Sequence, residues 1–219
     1  MPTVVIASPK GGAGKSTAAI LLGTELAHAG ASVVMLDCDP NHSLTLWADR
    51  APLPDRIQVL SSVTESDIVK SIKQHDTDGQ IVVVDLEGVA SRLVSRAISQ
   101  ADLVITPMRA TTLDATIGVR ALQLIAEEEE ALDRKIPHAV VFTMTKAVRS
   151  KQHSGIAESL AAQGVDLIDP PLLERAAFSA LFEFGGNLRN MPAQGNMVGA
   201  IENAALFAQA VYKRLAEGV

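Results

Sequence analysis

One ten-residue stretch near the start, Ser8-Pro9-Lys10-Gly11-Gly12-Ala13-Gly14-Lys15-Ser16-Thr17, constrains this chain more than any other feature. It follows an apolar run at 3–8 and opens a segment of helical periodicity at 15–29, which Gly30 ends as a C-cap. A strand, a glycine-rich turn and a helix in that order make a phosphate-binding loop. Glycine lets the backbone turn tightly enough to aim several N–H groups at one anion. The first turn of the helix adds the positive end of its dipole at the same place. Lys15 is then positioned to give a point charge to the β- and γ-phosphates, and the Ser16 hydroxyl to ligate Mg²⁺. Thr17 is expected at the α-phosphate.

The rest of the chain repeats the βα pattern. Apolar runs at 32–36, 81–84, 103–106 and 139–143 read as strands of a buried parallel sheet, with weaker candidates nearer the edges at 57–60 and 165–168. Helical segments fall at 44–49, 64–74, 91–99, 113–132, 155–163 and 201–216. The second of these, at 64–74, opens on Thr64 and Asp67, which resembles a capping box with Asp in place of Glu. The stretch 184–199, rich in Gly and Asn, reads as an ordered surface loop. No repeat, linker or change of composition divides the 219 residues, so residues 1–219 are expected to form one P-loop NTPase domain. Its class is α/β, with a mostly parallel twisted sheet covered by helices on both faces. With aromatics at 3% against 47% hydrophobic residues overall, the core must be aliphatic.

Composition also excludes several function classes. A net charge of −6 argues against a wholly basic nucleic-acid binder, though not against a local basic patch. The lone Cys38 excludes an intramolecular disulfide, and the five scattered histidines have no zinc-site spacing. No apolar run is long enough to span a bilayer and no signal peptide is evident, so cytoplasmic residence is expected.

Two departures from the ordinary loop are specific. Pro9 stands where the first Gly usually lies, and an extra lysine, Lys10, sits early. Lys10-Gly11-Gly12-Ala13-Gly14-Lys15-Ser16 resembles the deviant Walker A motif of the ParA/MinD family, and the resemblance runs over nearly the whole chain. It implies that two ATP molecules are sandwiched in a homodimer, with Lys10 reaching the partner subunit's nucleotide in trans. That task is akin to an arginine finger's. The segment at 173–180 is similar to short plasmid-partition ParA proteins and to the VirC1-like branch.

Carboxylates at strand ends complete the expected site. Asp37-Cys38-Asp39-Pro40 matches the family's Asp-x-Asp-Pro, whose second Asp positions the attacking water. By that match Asp39 joins Lys10 and Lys15 as a catalytic residue. Asp37 is either a supporting group near Mg²⁺ or a structural acceptor, and Asn41 stands where glutamine is frequent. Val82-Val83-Val84-Asp85 is a Walker B element, so Ser16, Asp39 and Asp85 form the expected metal set, Asp85 through a water. Gly88 leaves room for a backbone N–H toward the γ-phosphate, while Glu87 reads as a loop or partner contact or an additional base. Arg109, Thr112 and Asp114 match the family's dimer-face pattern, with Thr111 or Thr112 able to cap the helix that follows. Nucleotide contacts are expected from Gly11 to Thr17 and, for the base, from the Pro170-Pro171 loop. No Asn follows the sixth strand, and ATP over GTP rests on the resemblance.

The implied function is an ATP-dependent switch that binds DNA non-specifically and partitions it, with a ParB-like or other adaptor stimulating slow hydrolysis. Lys146, Arg149, Lys151, Arg189, Lys213 and Arg214 are the candidate DNA contacts. Alternatives on the same fold are positioning of a protein cluster, MinD-like membrane positioning through 206–215, and a small-molecule kinase or ligase. Membrane binding is the weakest of these, because the final residues suit insertion poorly.

Overall fold

The computed structural model describes residues 2–75, 79–88, 91–148 and 150–217. Seven strands, β1 (Thr3–Ile6), β2 (Ser32–Cys38), β3 (Ile57–Leu60), β4 (Gln80–Leu86), β5 (Leu103–Arg109), β6 (His138–Thr143) and β7 (Leu167–Ile168), form one sheet. Their order is β3-β2-β4-β1-β5-β6-β7. Every pairing is parallel, so the sheet is wholly rather than mostly parallel. The two weak strand candidates, β3 and β7, are its edges. The described residues form eight helices, six between strands and two after β7: α1 (Lys15–His28), α2 (Ser43–Ala48), α3 (Ile68–His75), α4 (Arg92–Ile98), α5 (Thr112–Leu132), α6 (Lys151–Ala162), α7 (Ala176–Phe184) and α8 (Met197–Glu217).

Continuous apolar strands follow from burial on both faces. Along β1, Val4 and Ile6 join the cluster under α1 and α8, while Val5 joins the one under α3, α4 and α5. Val33 and Met35 alternate with Val34 and Leu36 in the same way, as do Ile81 and Val83 with Val82 and Val84. One-residue side-chain alternation thus feeds two cores from one run.

Among the boundaries that differ from the sequence reading, four have a clear local reason. β5 continues through Pro107 to Arg109. The Val104 amide bonds the Pro137 carbonyl on the β6 side, so odd positions face β1, and pairing with β1 ends at Ile105. The missing N–H of Pro107 therefore forfeits no ladder bond. α6 starts four residues earlier than the apolar pattern, where the Ser150 hydroxyl accepts from the His153 amide at 3.1 Å. The Thr64–Asp67 segment forms a turn before α3, which starts only at Ile68. Most of 184–199 is loop, but α8 begins at Met197 and α7 precedes it, ended by Gly185 at φ 70°. A Cβ on Gly185 would lie 2.8 Å from the Ala51 backbone nitrogen, so this glycine lets α7 close on the segment after α2. Trp47, fully buried, donates Nε1–H to the Gly186 carbonyl at 3.0 Å and pins the same junction.

Candidate functional site

The loop after β1 arches over the carboxyl ends of β1 and β4. Gly12 and Gly14 have φ of 71° and 88°, in the left-handed region where only glycine is unstrained, and Gly14 is the N-cap residue of α1. A cleft of about 440 Å³ opens in front of it, lined by Gly11, Gly12, Gly14, Lys15, Ser16, Thr17, Asp39, Asn41, Glu87, Gly88, Met144 and Phe182 among others. The strand order gathers these residues. β2 and β4 lie side by side, so Asp37 faces Asp85 in register, and β1 beside β4 sets Ile6 against Asp85.

The three aspartates have separate partners. Asp37 accepts from the Thr45 amide at 2.8 Å and the Thr45 hydroxyl at 2.7 Å, which ties the second strand to α2. Of its two expected roles, structural acceptor is the one the geometry provides. Asp39 accepts from both the amide and the side-chain nitrogen of Asn41, each at 2.8 Å. Asn41 therefore orients the carboxylate on the cleft wall. Asp85 is fully buried, and neither of its oxygens reaches a hydrogen-bond partner among the described residues. Burial pushes its pKa up to about 7, while the nearby Ser16 hydroxyl and Lys15 ammonium pull it down and Asp37 and Asp39 add to the rise. A buried carboxylate with both oxygens orphaned fits a hard cation or its water shell. Cys38 lies among the same carboxylates, and its thiol is held far above the usual range by burial, then by Asp37 and Asp85, so it is inert.

Residues beyond the motif hold the loop in place. The Thr143 hydroxyl, at the end of β6, donates to the Ala13 carbonyl at 2.8 Å and lies 3.3 Å from that of Met108, while its methyl backs Gly14. Arg109 Nη2 is 3.4 Å from the Gly12 carbonyl. A Cβ on Gly88 would fall 3.1 Å from the Gly11 nitrogen, 3.2 Å from the Lys10 carbonyl carbon and 3.4 Å from Lys15 Nζ. The Asp85–Gly88 turn thus packs directly on the loop. Neither arrangement is visible in the sequence, although position at the carboxyl end of a central parallel strand marks Thr143 as a candidate.

Lys10 forms an ion pair with the buried Asp114 of its own chain. Burial pushes the Asp114 pKa upward, but hydrogen bonds from Lys10 and Thr111 and the charges of Lys10 and Arg109 outweigh it, and the carboxyl stays below its usual range. Thr111 is the cap of α5, its hydroxyl accepting from the Asp114 amide at 3.1 Å. Next to Gly14 and Thr17 a second, narrow groove is bordered by Leu172, Leu173, Glu174 and Arg175. Pro170 and Pro171 lie just before this border and are not part of it; the Pro171 carbonyl is taken by Asn203 Nδ2 at 2.8 Å. Asn203 also accepts from the Leu173 amide at 2.9 Å, so one buried side chain of α8 clamps the whole segment. No signal in the sequence marks it.

Of the basic candidates, Arg189 is engaged bidentately by Glu25 at 2.5 and 2.8 Å and Arg214 by Asp166 at the same distances. Lys213 lies 3.6 Å from Glu217. Lys146 and Lys151 are exposed, and Arg149 lies outside the described residues. Phe207, Val211 and Leu215, the apolar side of the C-terminal segment, are buried in the core, and no helix among the described residues is long and apolar enough to cross a membrane.

A family model described as VirC1 protein matches residues 1–214. The chain belongs to the VirC1 family. This VirC1-family chain is 66% identical to Protein ParA of Rhizobium radiobacter, over all of both chains. Its fold is that of a plasmid partition protein of Borrelia burgdorferi bound to AMPPNP, at 18% identity and TM-score 0.73, covering 97% of this chain and 98% of that one. It is likewise that of MinD from Pyrococcus horikoshii complexed with Mg-ADP, at 13% identity and TM-score 0.76, covering 100% and 98%. The ParA/MinD resemblance read from the loop therefore holds, in its VirC1 branch.

Proposed function

We propose that this chain is a Mg²⁺-dependent ATPase that works as a partition switch, closing as a nucleotide-sandwich homodimer and binding DNA non-specifically in that state. The observation that carries the reading is the orphaned Asp85 carboxylate beside Lys15 and Ser16, under a loop whose early lysine is held by Asp114. The 66% identity to a ParA protein and the fold shared with nucleotide-bound partition and MinD proteins support it.

In this reading the triphosphate lies along Gly11, Gly12, Ala13, Gly14, Lys15, Ser16 and Thr17. Ser16, Asp39 and Asp85 would hold Mg²⁺, Asp85 through a water, and the ion would neutralise phosphate charge. Asp39, oriented by Asn41, positions the attacking water. The Gly88 amide faces the γ-phosphate, and hydrolysis relaxes the loops after Asp39 and Asp85. Base contacts come from the segment after Pro170 and Pro171. Lys10 leaves Asp114 and screens phosphate charge across the dimer. Turnover is slow until a ParB-like or other adaptor intervenes, and the protein resides in the cytoplasm, on the nucleoid when ATP-bound. The cargo in this reading is DNA.

The test is size-exclusion chromatography with light scattering on Asp39→Ala, with ATP or ADP, each with and without duplex DNA. A dimer with ATP alone that co-elutes with DNA is expected. A monomer in every condition refutes the switch and redirects the search to small-molecule phosphate acceptors.

A further inference from the structure

The candidate cations do not stand alike once their partners are known. Arg189 and Arg214 are locked by bidentate carboxylates, and each is only about a fifth to a quarter exposed, at 25% and 21%. Breaking either pair would strand a partner carboxylate, Glu25 in the case of Arg189 being buried. They are structural ties, not free charges for a ligand.

A different edge of the molecule carries unpaired charge. Arg109 ends β5 in register with Thr143 of β6, three residues before Lys146. Lys146 lies on the connection from β6 to α6, and Lys151 opens α6. Gln152 approaches the Thr112 hydroxyl at 3.4 Å, bringing the starts of α6 and α5 together. Arg109, Thr111, Thr145, Lys146 and Ser150 border one open recess of about 280 Å³. Arg109, Lys146 and Lys151 are all exposed, and none has a carboxylate ion-pair partner among the described residues. Of the acids nearby, Asp114 is ion-paired with Lys10 and also feels the charge of Arg109, and Glu174 borders the neighbouring groove beside Gly14. In a chain of net charge −6, a surface with two unpaired lysines, Arg109 beside them and polar hydroxyls between is a local inversion of sign.

We propose that this surface at the carboxyl ends of β5 and β6, centred on Lys146 and Lys151, takes the phosphodiester backbone of duplex DNA. The proposal rests on the DNA-binding reading above and names its surface. Exposed lysines on an open edge suit phosphate contacts, which position a duplex without reading sequence. The edge adjoins the nucleotide cleft through Met144 and Arg109, so dimer closure would set two copies of it near one another. Such doubling turns two weak patches into one footprint.

The experiment uses the full chain loaded with a non-hydrolysable ATP analogue and a fluorescein-labelled duplex of arbitrary sequence. Anisotropy is read across a salt series, and light scattering reports the dimer. For Lys146→Ala/Lys151→Ala we expect an intact dimer, affinity at least about tenfold weaker, and a log–log salt slope shallower by roughly 0.9 for each phosphate no longer neutralised. Lys213→Ala is expected to leave affinity and slope unchanged. Native affinity and slope in the double variant would overturn the surface while leaving the DNA reading standing. A double variant that no longer dimerises would overturn it too, placing the edge at the subunit interface. If the unaltered chain dimerises without binding DNA, the DNA reading itself fails.

Discussion

At the residue scale, the site depends on groups that touch the phosphate loop from outside it. Thr143 closes the Ala13 carbonyl, so Thr143→Val leaves a buried acceptor unpaired at a cost of about 1–3 kcal/mol. We expect ATP affinity, by calorimetry, to fall by roughly an order of magnitude with the fold retained. Gly88 is more severe, because the nearest atoms a methyl would meet are backbone and cannot swing aside. Gly88→Ala should push the 85–88 turn off the loop and weaken nucleotide binding about tenfold or more, an overpacking cost of about 1–3 kcal/mol. Its circular dichroism should stay native. The Lys15, Ser16 and Asp85 pattern is legible in the sequence because loop and Walker B spacing is written in contiguous residues. Thr143 is not, since its partner is 130 positions away.

At the element scale, α8 acts as a clamp on the segment beside the cleft. Asn203 satisfies both the Leu173 amide and the Pro171 carbonyl, so Asn203→Ala strands two backbone groups. Urea unfolding should show a loss of about 2 kcal/mol, with nucleotide affinity reduced as well. Further along α8, Arg214 binds Asp166 before β7. The Arg214 hydrogen bonds hold the Asp166 carboxyl below its usual range, against the pull of burial. A depressed carboxyl contributes stability above its unfolded pKa, near about 3.9, and loses it as pH falls through the folded value. The melting-temperature gap between the native chain and Asp166→Asn is therefore expected to be full well above the unfolded value and to close as pH falls through the depressed folded value. Strand runs are readable because burial on both faces leaves a continuous apolar signature. α7 is not, since the 173–180 segment carries only a family resemblance and its helix is settled by packing against the core through Phe178 and Leu181.

For the whole molecule, the decisive question is how Lys10 moves between two partners. In the single chain it is neutralised by Asp114; in the proposed dimer it serves the other subunit's phosphate. Lys10→Ala should bind ATP with near-native affinity yet remain a monomer by light scattering, whereas Lys15→Ala should lose binding and dimer together. A Lys10→Ala chain that still dimerises with ATP would remove the trans role.

The sequence by itself determined the α/β class, the parallel sheet with its two weakest strands at the rims, the phosphate loop and its carboxylates. Each of these is encoded locally, in periodicity, glycine placement or a motif of adjacent residues. Only the tertiary structure decided which aspartate is structural and which is orphaned, that Asn41 orients Asp39, and that Asn203 and Thr143 support the cleft. It alone separated the paired arginines on Glu25 and Asp166 from the exposed lysines beyond the carboxyl ends of β5 and β6. Those distinctions depend on partners far apart in the chain, and a side chain's charge and hydrogen bonds have meaning only once folding has chosen its neighbours.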